Sequence, residues 1–196
     1  MVAGLTSVAE GGIGLLLLLH LQRAFELEPF QIALVFLPGG VAMSVLPGTL
    51  HRLTVRFGRR AVYAAASTGS AIFAASLALA PGPLVVAGLW ILSGLAWAAI
   101  MPIHEAAITE LSGSRAGRGM SLLSSAGLLG GAIGAALAGV LYEGASWVLS
   151  CLAFAAVIAL GAVGGPWALR RLGVRDRALP TEEPTPQAPG VTSPDS

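Results

Sequence analysis

Six long apolar runs constrain this chain more than any other feature of its sequence. They lie near residues 3–22, 32–50, 61–80, 84–108, 119–141 and 147–169. Each run is long enough to cross the bilayer core, which needs about 20 helical residues. The runs are unbroken, not alternating, and lipid-exposed backbone must satisfy its hydrogen bonds within a helix or a closed barrel. The sequence therefore predicts an all-α integral membrane protein with six transmembrane helices.

Composition agrees with a membrane protein and excludes other classes. Of the 196 residues, 55% are hydrophobic and only 11% are charged, which is too little polar surface to cover a water-soluble globule. The formal net charge is +1 and the arginines come in small separated groups. Nucleic-acid binding needs a broad basic face. We therefore expect the lipid bilayer, and no nucleic acid, among the partners.

The distribution of arginines predicts the orientation. Ten of the eleven fall in the connections after the second, fourth and sixth runs, and only Arg23 lies on the other side. Short loops rich in arginine stay in the cytosol. This predicts a multi-pass protein of the cell (inner) membrane, with residues 1–172 forming the bundle and both termini cytosolic. Residues 173–196 are rich in Pro, Ser and Thr, which predicts a disordered cytosolic tail.

The fifth run carries small residues at a helical spacing. One row recurs every four residues and a second row lies beside it. The first row is Gly127, Gly131, Ala135 and Gly139, and the second is Gly130, Gly134 and Ala138. A helix face with so little side chain lets another helix approach closely. We expect a helix-packing face here, which could be a static seam or a sliding gate.

Glu10 is the clearest ionisable residue inside a predicted span. It lies about 14 Å along the first helix, near mid-bilayer, between small neighbours at Gly11 and Gly12. A carboxylate at that depth costs roughly 2.5 to 3.5 kcal/mol on insertion scales and usually marks a transport path or proton relay. Glu10 is therefore predicted to bind substrate or a proton. The alternative is that it lies nearer the membrane surface.

The His104-Glu105 pair invites a zinc hypothesis, which the spacing does not support. The His-Glu-x-x-His pattern needs a second histidine at the fifth position, where this chain has Ile108. The sequence also contains no Gly-x-Ser-Gly motif with a facing histidine, so it does not suggest a serine intramembrane protease. The sequence therefore predicts no metal site, no cofactor and no enzymatic activity, and it places His104 at the cytosolic boundary.

The stretch "LTVRFGRRA" resembles the loop between the second and third helices of a six-helix half in the major facilitator superfamily. That pattern runs Gly-x-Leu-Ala-Asp-Arg-x-Gly-Arg-Arg, and it is matched here at Leu53, Arg56, Gly58, Arg59 and Arg60. His51 and Val55 depart from it, since they replace the first Gly and the Asp. A second match follows the fourth run, at Glu110, Leu111, Arg118 and Gly119.

The resemblance implies one six-helix half of such a transporter, built as a 3+3 inverted repeat. The degenerate loop is more usual in the C-terminal half. Members are secondary-active transporters with two such halves, which move small molecules by alternating access. The resemblance thus implies a small-molecule substrate and a second half or a homodimer partner. The alternative is a non-transporting six-span protein, either a gene fragment or an assembly subunit that binds another membrane protein through its small-residue face.

The resemblance also implies roles for individual residues. The first and fourth helices of a half line the family's central cavity, which makes Glu10, Trp90 and Trp97 candidates for the substrate or proton pathway. Tryptophans at the membrane interface are the plainer interpretation of the last two. The cytosolic gating network would comprise Arg56, Gly58, Arg59, Arg60, Glu110 and Arg118. An arginine of this group is expected to pair with Glu110, although the cluster could also serve only to fix topology.

Overall fold

The chain folds into a bundle of helices. The structure, a computed structural model, describes residues 2–176. Within that range the α-helices are α1 (Val2–Arg23), α2 (Pro29–Val45), α3 (Pro47–Phe57), α4 (Arg59–Ser76), α5 (Pro83–Ser112), α6 (Ala116–Gly144) and α7 (Trp147–Arg171). Short 3₁₀ turns follow α4 and α5, and no strand occurs among the described residues. The all-helical prediction is therefore confirmed.

Several of these helices are long and apolar enough to cross a membrane. Four helical stretches meet that description, or five if α2 and α3 are counted as one bent span. The longest, Pro83–Gly144, contains 62 residues and would extend about 93 Å if it were straight, three times the thickness of a bilayer core. It turns at Gly113, where φ is 51°, so it comprises the separate helices α5 and α6. These apolar helices are those of a multi-pass membrane protein.

The second predicted run, 32–50, is divided by a bend. The axes of α2 and α3 differ by 48°, and the break falls at Leu46, just before Pro47. Proline has no N–H to continue the helical ladder, and its ring disfavours a helical conformation in the preceding residue. The last part of the run therefore belongs to α3, which also carries Arg52 and Arg56.

Two apolar clusters mark the two ends of the bundle. One contains Leu21, Leu77 and Cys151, and the other contains Tyr63 and Leu169. Consecutive long helices run in alternating directions between the clusters, because α4 passes from the second to the first and α5 and α7 pass back. Of the arginines in the described range, all except Arg23 lie at the second end, which we call the arginine end. The other is the opposite end.

Three helix pairs form the framework. The most extensive contacts join α1 with α6, α4 with α7, and α2 with α5. Glycines permit close approach in two of these pairs. A Cβ on Gly134 of α6 would overlap the carbonyl oxygen of Val8, and a Cβ on Gly94 of α5 would overlap that of Gly39. The backbones in both pairs therefore touch without intervening side chains.

Candidate functional site

Glu10 lies between an internal cavity and a surface groove. The cavity is small, about 30 Å³, and is enclosed by α1, α4, α5 and α7. Its polar lining includes Thr6, Ser67, Ser70 and Ser93 beside the carboxylate. The groove is larger, about 470 Å³, and runs along the surface between α1, α5 and α6. Glu10 therefore has access to a wide surface channel while it stays partly buried.

The groove owes its width to the small residues of α6. Gly127 and Gly131, from the predicted packing row, line it together with Gly11 of α1. The neighbouring row makes the tight contact with α1, since Gly130, Gly134 and Ala138 are the buried residues of α6. Ala135 and Gly139 are partly buried. One row thus brings α1 close, and the adjacent row leaves room beside Glu10.

The two tryptophans proposed for the pathway differ in position. Trp90 packs edge-on against Phe36 and Phe73, with ring centroids 4.8 and 5.9 Å away, and borders only the internal cavity. Trp97 borders both the cavity and the groove. It is therefore Trp97 that presents an aromatic surface to the same open space as Glu10.

His104, which the sequence analysis placed at the cytosolic boundary, also lines the groove. His104 lies two helical turns beyond Trp97 on α5, and its Nε2 is buried with no hydrogen-bond partner among the described residues. Its ring centroid is 5.4 Å from that of Tyr63, whose hydroxyl is 3.3 Å from the Thr6 hydroxyl. Thr6 is one turn before Glu10 on α1. The groove thus holds titratable groups of two helices, Glu10 of α1 and His104 of α5, and Tyr63 of α4 packs behind His104. The seven-residue spacing of Trp97 and His104 is the sequence signal that could have revealed it.

The ion pair expected between the arginine cluster and Glu110 is made by Arg59. Its Nη1 lies 2.7 Å from Glu110 Oε2, and the same atom donates to the carbonyl of Arg175 at 3.2 Å. The second carboxylate oxygen, Glu110 Oε1, accepts from the backbone N–H of Arg175 at 3.1 Å. This cluster of Arg59, Glu110 and Arg175, which we call the latch, joins α4, α5 and the segment after α7.

Residues 173–176, which the sequence analysis assigned to the tail, pack at the arginine end. Val174 is 2% exposed. Asp176 Oδ1 accepts from the backbone N–H of Arg60 at 3.0 Å, and its carbonyl accepts from the N–H of Arg59 at 2.8 Å. Gly58 immediately precedes α4 with φ of 87°, and a Cβ there would meet the Asp176 carboxylate. Asp176 thus supplies the acceptors for the N–H groups of Arg59 and Arg60, which have no partner within the first turn of α4. The positive end of the helix dipole also favours an anion at this position. The rest of the predicted tail lies outside the described residues.

Comparison with known proteins decides the family. The sequence pattern of the Major Facilitator Superfamily matches residues 1–194, nearly the whole chain. The chain belongs to the major facilitator superfamily.

The chain is also similar to a protein described as "Multidrug efflux pump SdrM" from Staphylococcus aureus (strain N315), with 28% identity over 168 residues. The match covers 81% of this chain and 37% of that protein, so the chain spans little more than a third of the relative's length. No solved structure matches the chain at a significant level.

The remaining superfamily positions lie apart from the latch. Arg56 is exposed on α3, with its guanidinium carbon 5.3 Å from the centroid of the Phe57 ring. Arg118 is exposed in the first turn of α6. Of the six residues assigned to the gating network, the structure therefore brings together Gly58, Arg59, Arg60 and Glu110. Asp176 joins them. Among the described residues, no group of three or more His, Cys, Asp or Glu is arranged to hold a metal.

Proposed function

We propose that this chain is one half of a secondary-active transporter that exports small molecules by alternating access, with the groove beside Glu10 as part of the substrate and proton path. The observation that carries the proposal is the position of Glu10, a carboxylate inside an apolar helix that faces an open groove. Membership of a transporter superfamily and similarity to a protein described as an efflux pump support it.

The helix pairing supports six crossings arranged as a 3+3 inverted repeat. In such a repeat α1, α2 and α4 would correspond to α5, α6 and α7, with α3 an extension of α2. If each helix is replaced by its counterpart in the other repeat, the α1·α6 pair becomes the α5·α2 pair and the α4·α7 pair stays the same. These three pairs are the ones with the most extensive contacts. The two exchanged pairs also share their glycine contacts, Gly134 with Val8 and Gly94 with Gly39. This symmetry of the helix pairs supports the proposed repeat.

The orientation follows from the arginine end. Short loops rich in arginine remain cytosolic. Arginines lie at the connection before α4 and at the connection between α5 and α6, whereas the connection between α4 and α5 has none. We infer that the arginine end faces the cytosol in the inner membrane, with both termini on that side. The latch would then lie at the cytosolic mouth of the groove, where its making and breaking could accompany opening.

The substrate that suits the groove is an amphipathic organic cation. Glu10 and Glu105 contribute negative charge, while Trp97, Met101 and Met120 contribute aromatic and polarisable surface. Tryptophan faces attract cations, and methionine adapts to ligands of different shape. A proton taken up by Glu10 would neutralise the carboxylate and release the cation, which couples export to proton entry.

An open groove needs a second bundle to close it. In the superfamily the site lies between two halves, and transport is the movement of one half against the other. We propose that a second bundle covers the groove beside Gly127 and Gly131. It could be a second copy of this chain, a separate chain or another part of the same protein.

The test is export of a fluorescent cationic dye from bacteria that lack other dye pumps. Glu10→Gln removes the titrating group and should abolish proton-driven export, because intramembrane carboxylates serve as proton relays. The matched control, Glu143→Gln, changes an exposed carboxylate in the last turn of α6 and should export normally. Membrane insertion of both variants is measured in parallel.

Two results would contradict the proposal. Normal export by inserted Glu10→Gln would remove Glu10 from the mechanism. Absence of export by the unmodified, inserted protein when it is produced together with the bundle that completes it would favour the non-transporting assembly subunit, whose small-residue face binds another membrane protein.

A further inference from the structure

A second groove lies on the side of the bundle formed by α3, α4 and α5. It has a volume of about 480 Å³, and every side chain that lines it is apolar. Helix α3 contributes Leu50, Leu53 and Phe57, and α4 contributes small residues such as Ala65 and Gly69. The bend before Pro47 directs α3 away from the axis of α2 and so leaves this space beside α4. We call it the α3 groove.

The length of the α3 groove fits one leaflet of a bilayer. Its lining on α4 extends from Ala61 to Gly69, nine residues whose eight helical steps rise about 12 Å. Half of a hydrocarbon core is about 15 Å. Because Ala61 is close to the start of α4, the groove runs from the arginine end toward the middle of the bundle. An acyl chain of one leaflet would lie along it.

Two arginines with no carboxylate partner in the described part of the chain lie at the mouth of the groove. Arg52 and Arg56 are exposed, one turn apart on α3, and no described carboxylate lies within 4 Å of either. The neighbouring cations differ, since Arg59 pairs with Glu110 and Arg60 contacts Asp176.

The two free arginines are tied to the groove by geometry. Arg56 holds its guanidinium carbon 5.3 Å from the centroid of the Phe57 ring, and Phe57 lines the groove. Like charges four residues apart on a helix repel each other, so an anion bound between Arg52 and Arg56 would relieve that repulsion. Arginine is also the side chain best suited to grip a phosphate with two hydrogen bonds.

We propose that this region is a binding site for an anionic phospholipid, with an acyl chain in the α3 groove and the phosphate on Arg52 and Arg56. An apolar groove of leaflet depth that ends at unpaired cations matches the two parts of such a lipid. The site lies on the other side of the bundle from Glu10 and does not depend on the proposed transport activity.

Native mass spectrometry of the purified full chain tests the site. The protein is titrated with phosphatidylglycerol and with phosphatidylcholine carrying the same acyl chains. Each basic side chain near an anionic headgroup contributes about fivefold in affinity, so two arginines should favour phosphatidylglycerol by about 25-fold. The double variant Arg52→Gln/Arg56→Gln should lose that preference. The control Arg115→Gln/Arg118→Gln removes two exposed arginines from another loop and should keep it.

A second pair of variants tests the groove itself. Ala65→Phe fills it and should weaken the binding of both lipids severalfold, whereas Thr68→Phe places the same ring on an exposed position of α4 outside the groove. Circular dichroism and size-exclusion chromatography verify that each variant is folded.

Three results would overturn the proposal. Equal affinity of the unmodified protein for the two lipids would show that the arginines select nothing. An equal loss in the Arg115→Gln/Arg118→Gln control would reduce the effect to overall charge. A dimer that forms without added lipid and is lost in Ala65→Phe would assign the groove to a second copy of the chain.

Discussion

The two ends of the bundle are held together by different kinds of contact. At the opposite end, large apolar side chains such as Leu16, Leu17 and Leu77 are fully buried. The His20 ring stacks on Trp147 with centroids 3.6 Å apart, and the indole N–H of Trp147 donates to the Leu77 carbonyl at 3.0 Å. These contacts tie the end of α1 and the start of α7 to the end of α4.

The arginine end has a smaller apolar cluster, around Tyr63 and Leu169, and adds ion pairs and backbone hydrogen bonds to it. Its latch joins Arg59, Glu110 and the backbone of Arg175, and Asp176 binds the start of α4. The side chains of Arg59 and Glu110 are 13% and 30% exposed, so water competes for them. Partly exposed ion pairs contribute little net stability.

The difference indicates which end can open. Separating packed helices exposes apolar surface and raises the free energy. Water can replace the partners of a partly exposed ion pair at little cost in free energy. We therefore expect the opposite end to act as the fixed end of the bundle and the arginine end to open and close.

The largest expected effect is at the opposite end. Leu77→Ala leaves a cavity at a fully buried position and should lower the free energy of unfolding by about 2 to 5 kcal/mol. Leu79→Ala is the matched control, because the same residue type in the same 3₁₀ turn is 85% exposed. Unfolding is followed by circular dichroism during titration with sodium dodecyl sulfate. Similar losses in the two variants would show that the opposite end is not held by packing.

The helix pair that spans both ends should respond next. Gly134→Ala places a methyl group on the Val8 carbonyl and should lower stability by about 1 to 3 kcal/mol, the usual range for overpacking. Gly139→Ala, where the added carbon meets no atom within 4 Å, should have little effect. The same titration measures both. If Gly134→Ala is as stable as the Gly139 variant, the close α1·α6 contact is not a stabilising one.

The latch should give the smallest effect. A double-mutant cycle with Arg59→Gln and Glu110→Gln should give a coupling free energy of no more than about 1 kcal/mol. The coupling should shrink in 1 M salt, where the screening length is about 3 Å. A coupling of several kcal/mol, or one that salt leaves unchanged, would mean that the arginine end is as firmly held as the opposite end.

Much of the fold could be predicted from the sequence, since the apolar runs and their proline and glycine boundaries determine which segments are helices. The bend before Pro47 was not predicted, because the apolar run continues to Leu50 and hides the break. The Arg59 and Glu110 pair could be predicted because the loop pattern matches the superfamily on both sides of it.

Other parts of the site needed the structure. Asp176 meets Arg60 across 116 residues of sequence, in a segment whose composition indicates a tail. The burial of His104 also depends on tertiary contacts, because the neighbouring ring of Tyr63 comes from another helix. Local patterns carry no information about such distant partners.

Hydrogen–deuterium exchange of the full chain in lipid bilayers tests the difference between the two ends most directly. Peptides that cover residues 58–62 and 172–176 should exchange at least about tenfold faster than peptides that cover 73–80 and 147–152, because local opening is easier where few apolar contacts must break. Arg59→Gln should accelerate exchange in the first group alone. Equal protection at both ends, or faster exchange at residues 73–80, would contradict the assignment of the arginine end as the end that opens.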